Sequence, residues 1–169
     1  MRKILFASRK MTPFDHLKGK RITRIQRIDS EKDFRYCAPY ALVFTLDDLD
    51  EKLVLRASND GTSADIALLN DLDIEGDFGL EIREGILNDL RPEDELNQFH
   101  NQKIEEIRIA EFMEPEILGE GFSIKQGKIA GIELKTERNK ILFQNNHGGW
   151  IDIDDDVVEL PNPTRWKWK

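Results

Sequence analysis

Residues 41–69, ALVFTLDDLDEKLVLRASNDGTSADIALL, are the stretch on which the fold turns. Leu42, Phe44 and Leu46 alternate with Ala41, Val43 and Thr45, the period-two pattern of a strand built from residues that favour β-structure. Asp47-Asp48-Leu49-Asp50-Glu51 interrupts that run with turn formers. Lys52 to Arg56 is apolar again. Ser58-Asn59-Asp60-Gly61 then gives a second turn signal, since Asn, Asp and Gly tolerate positive φ. Ser63 to Leu69 supplies a third strand. The stretch reads as an antiparallel meander.

A paler copy follows at residues 130–154. Ala130, Ile132 and Leu134 match Leu42, Phe44 and Leu46. Lys140 to Gln144 matches Lys52 to Arg56 with no gap in the turn, and Gly148 to Ile153 follows Gly61 to Ile66 after a one-residue deletion. Upstream, Arg21 to Ile25 pairs with Lys103 to Ile107. The pattern predicts an internal repeat over residues 17–69 and 100–154. Either copy alone is too small to bury a sufficient core, so the two are expected to pack as a single domain over residues 1–169. The predicted fold class is mainly β: two duplicated antiparallel meanders packed as one sandwich or partly open barrel. A β-rich α+β fold is the alternative, should Lys20–Ile28 or Leu80–Leu90 prove helical.

The segments around the copies carry weaker signals. Lys3 to Ala7 reads as a short strand. Thr12-Pro13 opens a helix that Gly19 must soon close, giving a short helix near residues 13–18. Pro92 and the acids after it predict another near residues 92–99, burying Leu96 and Phe99. Ile22, Ile25 and Ile28 recur every three residues, whereas their counterparts Ile107 and Ile109 stand at strand spacing, so a bulged strand is expected in both copies. Asn70 to Gly79 reads as an acidic loop with a short strand around Leu72–Ile74. Phe122 to Ile129 suggests an extra hairpin turning at Gln126-Gly127.

Charge is unevenly spread. The chain has 25 Lys and Arg against 33 Asp and Glu, a net charge of −8. Residues 1–35 carry eleven basic residues against four acids, and the remainder fourteen against twenty-nine. A basic segment lying along an acidic body is one consequence, and a dipolar surface that steers a charged partner is the other. The acidic body argues against nucleic-acid binding. No apolar run reaches the length of a membrane span, so no membrane association is expected. The single Cys37 fits a reducing, cytoplasmic setting. Exposed strand edges would permit a homodimer by edge pairing.

Chemistry-bearing residues are few. The turn holding Asn145, Asn146, His147 and Trp150 places a titratable imidazole beside two glycines and is the candidate ligand-binding loop, although a β-turn also belongs there. A pocket against it would draw on Phe143, Trp150 and Phe44. The acids Asp47, Asp48, Asp50 and Glu51 in one turn, and Asp152, Asp154, Asp155 and Asp156 after the last strand, are candidate partner-binding residues. Neither cluster has the spacing of a calcium loop. In the tail, Trp166 and Trp168 would share one face of a terminal strand and are further partner-binding candidates. Cys37 has no nucleophile signature, His and Cys match no zinc spacing, and no phosphate or dinucleotide motif occurs. No metal, cofactor or catalytic residue is predicted. The expected function is a small acidic cytoplasmic protein-interaction module, an adaptor or neutralising inhibitor of a basic protein partner. A small-ligand-binding β-domain comes second, and an enzyme using His147 third.

Overall fold

The computed structural model describes residues 14–29, 40–58, 63–76, 87–112, 116–117, 123–124, 128–145, 149–154 and 166–168. Alternating apolar runs give β1 (Ile22–Ile28), β2 (Ala41–Leu46), β3 (Lys52–Ala57) and β4 (Ala64–Leu69), an antiparallel meander. A short β5 (Leu87–Asp89) returns to the far edge of β1. The second unit opens with β6 (Ile104–Phe112). A separate two-stranded ribbon follows, β7 (Glu116–Ile117) with β8 (Ser123–Ile124). Then come β9 (Ile129–Thr136), β10 (Lys140–Asn145) and β11 (Gly149–Ile153), and β12 (Trp166–Trp168) closes on the far edge of β6.

The two units correspond position by position. β1 bulges between Ile22 and Arg24, and β6 between Ile104 and Glu106, so Thr23 and Glu105 are the extra residues at the same place. The bulged strands predicted for both copies are present. Each unit begins with a 3-10 turn, Asp15–Leu17 or Glu95–Phe99, whose last residue is completely buried. Two residues on, the backbone turns left-handed at Gly19 (φ 85°) and Asn101 (φ 65°), residue types that accept this conformation at low cost. The two lead-in segments then cross. Ile22 N donates to Gln102 O at 2.9 Å and Ile104 N to Lys20 O at 2.8 Å, while Gly19 N reaches Ile104 O and Asn101 N reaches Ile22 O. Arg21 bridges Lys103 at the centre of this exchange, and Ala64 of β4 pairs with Ile129 of β9 at the other junction. The result is one curled sheet, a half-barrel.

A single core fills it. Ile22, Ile25, Leu42, Phe44 and Leu53 from the first unit pack with Ile104, Ile107, Ile132, Leu134 and Phe143 from the second. A smaller apolar cluster lies on the other face of the first unit, where Ile28, Val43 and Val54 meet Ile74.

Several local expectations need correction. The short helices near 13–18 and 92–99 are 3-10 turns, as suits segments of three and five residues. Residues 71–76 are helical, whereas a strand was expected at Leu72–Ile74. Asn70 caps this helix by accepting from Asp73 N at 2.8 Å, acids fill its first turn, and only Ile74 is buried. Ser123–Ile124 pairs back to Glu116–Ile117 instead of forward to Ile129. The alignment of the copies also shifts. Phe44 faces Leu53 and Leu134 faces Ile141, so the first β2–β3 turn is two residues longer than its β9–β10 counterpart. Leu55 faces Ile66 and Phe143 faces Ile151, which makes the next turn three residues longer, not one. Lys3 to Ala7, Cys37 and residues 80–86 lie outside the described residues.

Candidate functional site

A curled sheet that does not fully close leaves its end strands facing each other. Here the longest path through the sheet ends in β11 and β5, with β12 ending the branch through β6, and residues of β11 and β5 line a cleft of about 630 Å³. Leu96 of the second 3-10 turn forms its apolar floor with Ile151 and Ile153, which pack their side chains against the core. The charged lining residues are four acids, Asp89, Glu93, Asp94 and Glu95, and two arginines, Arg27 and Arg91, with the Asp89 side chain on the face it shares with its ladder partner Gln26, turned from Arg27. The cleft is therefore a greasy slot with a net acidic rim.

Its deepest polar feature is an ion-pair triad. Strand alternation puts Arg27 on the same face of β1 as Ile25, the face that enters the core. Its guanidinium reaches Asp94 Oδ2 at 2.8 Å and Asp29 Oδ1 at 3.2 Å, with the three side chains only 17%, 14% and 8% exposed. Asp94 has a second task, accepting from Leu96 N at 3.0 Å to cap the 3-10 turn. Satisfaction is incomplete: Arg27 Nε and Asp29 Oδ2 are buried with no hydrogen-bond partner. Burial raises the Asp29 carboxyl above its ordinary range, and the nearby Arg27 only partly offsets this. At the rim, Arg24 clamps Asp89 through two hydrogen bonds of 2.9 and 3.0 Å.

The opposite wall is an open strand edge. Asp154 N donates to Lys140 O, and hydrogen-bonded pairs alternate along an antiparallel ladder. Trp150 and Asp152 therefore bond to β10, while Ile151 and Ile153 turn their N–H and C=O groups away from it. Among the described residues β11 has no other strand neighbour.

The residues singled out in the sequence are spread around this site. Asn145 is buried and donates through Nδ2 to Ser58 O at 2.9 Å and Ser63 O at 2.7 Å, which ties the end of β10 to the mouth of the first unit's last hairpin. Asn146 and His147 lie outside the described residues. Trp150 stands in β11 opposite Gln144. Phe44 and Phe143 are completely buried in the core. Asp47 accepts from Arg21 N at 2.6 Å, and Asp48, Asp50 and Glu51 are at that same turn, far along the chain from the cleft lining. Asp152 lies on β11 between the two cleft isoleucines. Asp154, just beyond the strand, accepts from Lys140 N at 2.9 Å and Asn139 Nδ2 at 2.7 Å and so holds the β9–β10 turn. Asp155 and Asp156 are outside the described residues. Trp166 and Trp168 pair with Phe112 and Ala110, and the Arg108 guanidinium stacks 4.5 Å from the Trp168 ring centre.

Arg27, Asp29, Asp89 and Asp94 were not singled out from the sequence. One signal was available: an arginine at a core-facing strand position must find buried partners or forfeit its hydration. Among the described residues no group of three or more His, Cys, Asp or Glu could hold a metal ion, and no helix is long and apolar enough to cross a membrane. Compared with known protein families, curated proteins and solved structures, the chain finds no match in any of the three.

Proposed function

We propose that this chain is a small cytoplasmic protein-interaction module that engages a basic protein partner, as an adaptor or a neutralising inhibitor, through the cleft between β11 and β5. The observation that carries the reading is the joint character of that cleft: an apolar floor of Leu96, Ile151 and Ile153 under a rim where acids outnumber arginines. Apolar surface supplies affinity, while the acidic rim speeds encounter with a cationic partner and disfavours acidic ones. The net charge of −8 extends the same field over the molecule. A cleft of about 630 Å³ also falls within the range of small-molecule sites, which keeps ligand binding as the second reading.

The test is capture from the host's own extract at low salt, read by native mass spectrometry, with wild type beside a Glu93→Lys/Glu95→Lys variant. A basic polypeptide held by the wild type, released by salt and missing from the charge-reversed variant is the expected result. Equal capture by both proteins would refute the electrostatic reading, and a small added mass in place of a polypeptide would favour the ligand.

A further inference from the structure

Resting on the interaction reading, we propose that the partner binds by strand addition: one extended cationic segment of another protein pairs antiparallel with the edge of β11 that no described strand covers. Three observations converge on this. Ile151 and Ile153 present backbone N–H and C=O groups to the side of the strand where no described strand pairs with them. Their side chains line the apolar floor, so residues of an added strand directly opposite them would point into the cleft beside Leu96. Asp152, between them, points to the other face, where the alternate residues of the added strand would stand. The edge therefore prescribes a sequence pattern. Apolar residues face the cleft, and basic residues alternate with them beside Asp152. Backbone bonds supply affinity in this mode, and alternating side chains supply specificity.

A second copy of the chain fits less well. Two β11 strands pairing about a two-fold axis centred on Asp152 would set that carboxylate against itself, and like charges directly opposite are destabilising. The net charge of −8 on each copy adds to the repulsion. A cationic segment relieves both.

The experiment uses the full chain and a short fluorescent peptide alternating valine and lysine, with binding followed by anisotropy. Two sister peptides carry N-methyl groups on every valine or on every lysine, and a fourth replaces lysine by glutamate. In an antiparallel pair the valine N–H groups face β11, so valine methylation is expected to weaken binding by at least about tenfold. Lysine methylation should leave it nearly unchanged, and the glutamate peptide should not bind. If both methylated peptides bound as well as the parent, strand addition would be wrong while the interaction reading survived. If the glutamate peptide bound as tightly as the lysine one, Asp152 and the net acidic charge would have no part, although strand pairing would stand. Failure of the parent peptide to bind at millimolar concentration would overturn both, as would a dimer in solution with protected Ile151 and Ile153 amides.

Discussion

Ile25 and Ile107 both enter the core immediately after the bulge of their strands, but two residues later the units part. The first has Arg27, half-buried in a triad with Asp29 and Asp94, and the second has Ile109, packed with the core. The reverse exchange occurs on the other face. Gln26 stands opposite Val43 beside an apolar cluster, whereas the corresponding Arg108 and Glu133 face each other across the ladder as an ion pair of 3.4 Å. The backbone course is the same in both, so the frame does not require either arginine. What the frame shares is the bulge, the left-handed lead-in and the core. What it does not share marks local duty, and the half-buried triad lies beside the cleft.

The largest effects should come from the shared part. Phe44 and Leu134 occupy corresponding, completely buried positions of one core. Phe44→Ala and Leu134→Ala should each cost about 2–5 kcal/mol. Urea unfolding should remain a single transition in both. A variant that unfolded one unit while the other persisted would break the comparison.

Next comes a position where the units differ. Asn145 corresponds to Ala57, yet only Asn145 bridges two carbonyls of the opposite unit's hairpin. Asn145→Ala, which copies the first unit's residue, should still cost about 1–3 kcal/mol because Ser58 O and Ser63 O lose buried donors. Thermal unfolding would measure it. A neutral substitution would mean that water replaces the amide without loss.

A smaller effect sharpens the left-handed turns that lead into the units. Among the described residues, apart from Gly19 and its two chain neighbours, no atom lies within 4 Å of a Cβ placed on Gly19, so the cost of a side chain there is conformational. Gly19→Ala should destabilise by about 1 kcal/mol. Gly19→Asn should cost less, since Asn101 already holds the corresponding left-handed site. Equal costs, read by thermal unfolding, would show that the turns at Gly19 and Asn101 are not interchangeable.

The smallest is a pH dependence that Asp29 brings to the first unit. The native Asp29 carboxyl is raised above its ordinary value of 3.8, chiefly by burial. The folded state therefore holds this proton more readily than the unfolded one, and Asp29 makes stability fall as pH rises from the ordinary aspartate value through the raised native one. Above that window the penalty is constant. The stability of Asp29→Asn relative to wild type should grow with pH across the window, as denaturation at stepped pH would record. A difference that shrank across it would mean the carboxylate is better paired than the orphaned Oδ2 suggests.

How much of this was legible in the sequence follows from the same contrasts. Period-two alternation located β2, β3, β4, β9, β10 and β11, because a half-buried strand writes its faces directly into the chain. The bulges were legible from the two isoleucine spacings. The alignment slipped by two at the β2–β3 turn for a physical reason: a slip of two leaves every side chain on its own face, so apolar alternation cannot detect it. The helix at residues 71–76 was hidden because a single residue, Ile74, anchors it and Leu72 stays 79% exposed. The cleft was not legible at all. It is made where the ends of a curled sheet meet, from β5, β11 and a connecting turn far apart in sequence, and only the closure of the sheet brings them together.

The most direct test of the cleft as the working surface is to map, by amide chemical shifts, where the valine–lysine peptide binds on the full chain. The account predicts perturbations at Asn88, Asp89, Leu96, Ile151 and Ile153, with the turn at Asp48 and Asp50 unmoved. Perturbations centred on that acidic turn, with β11 and β5 silent, would contradict it.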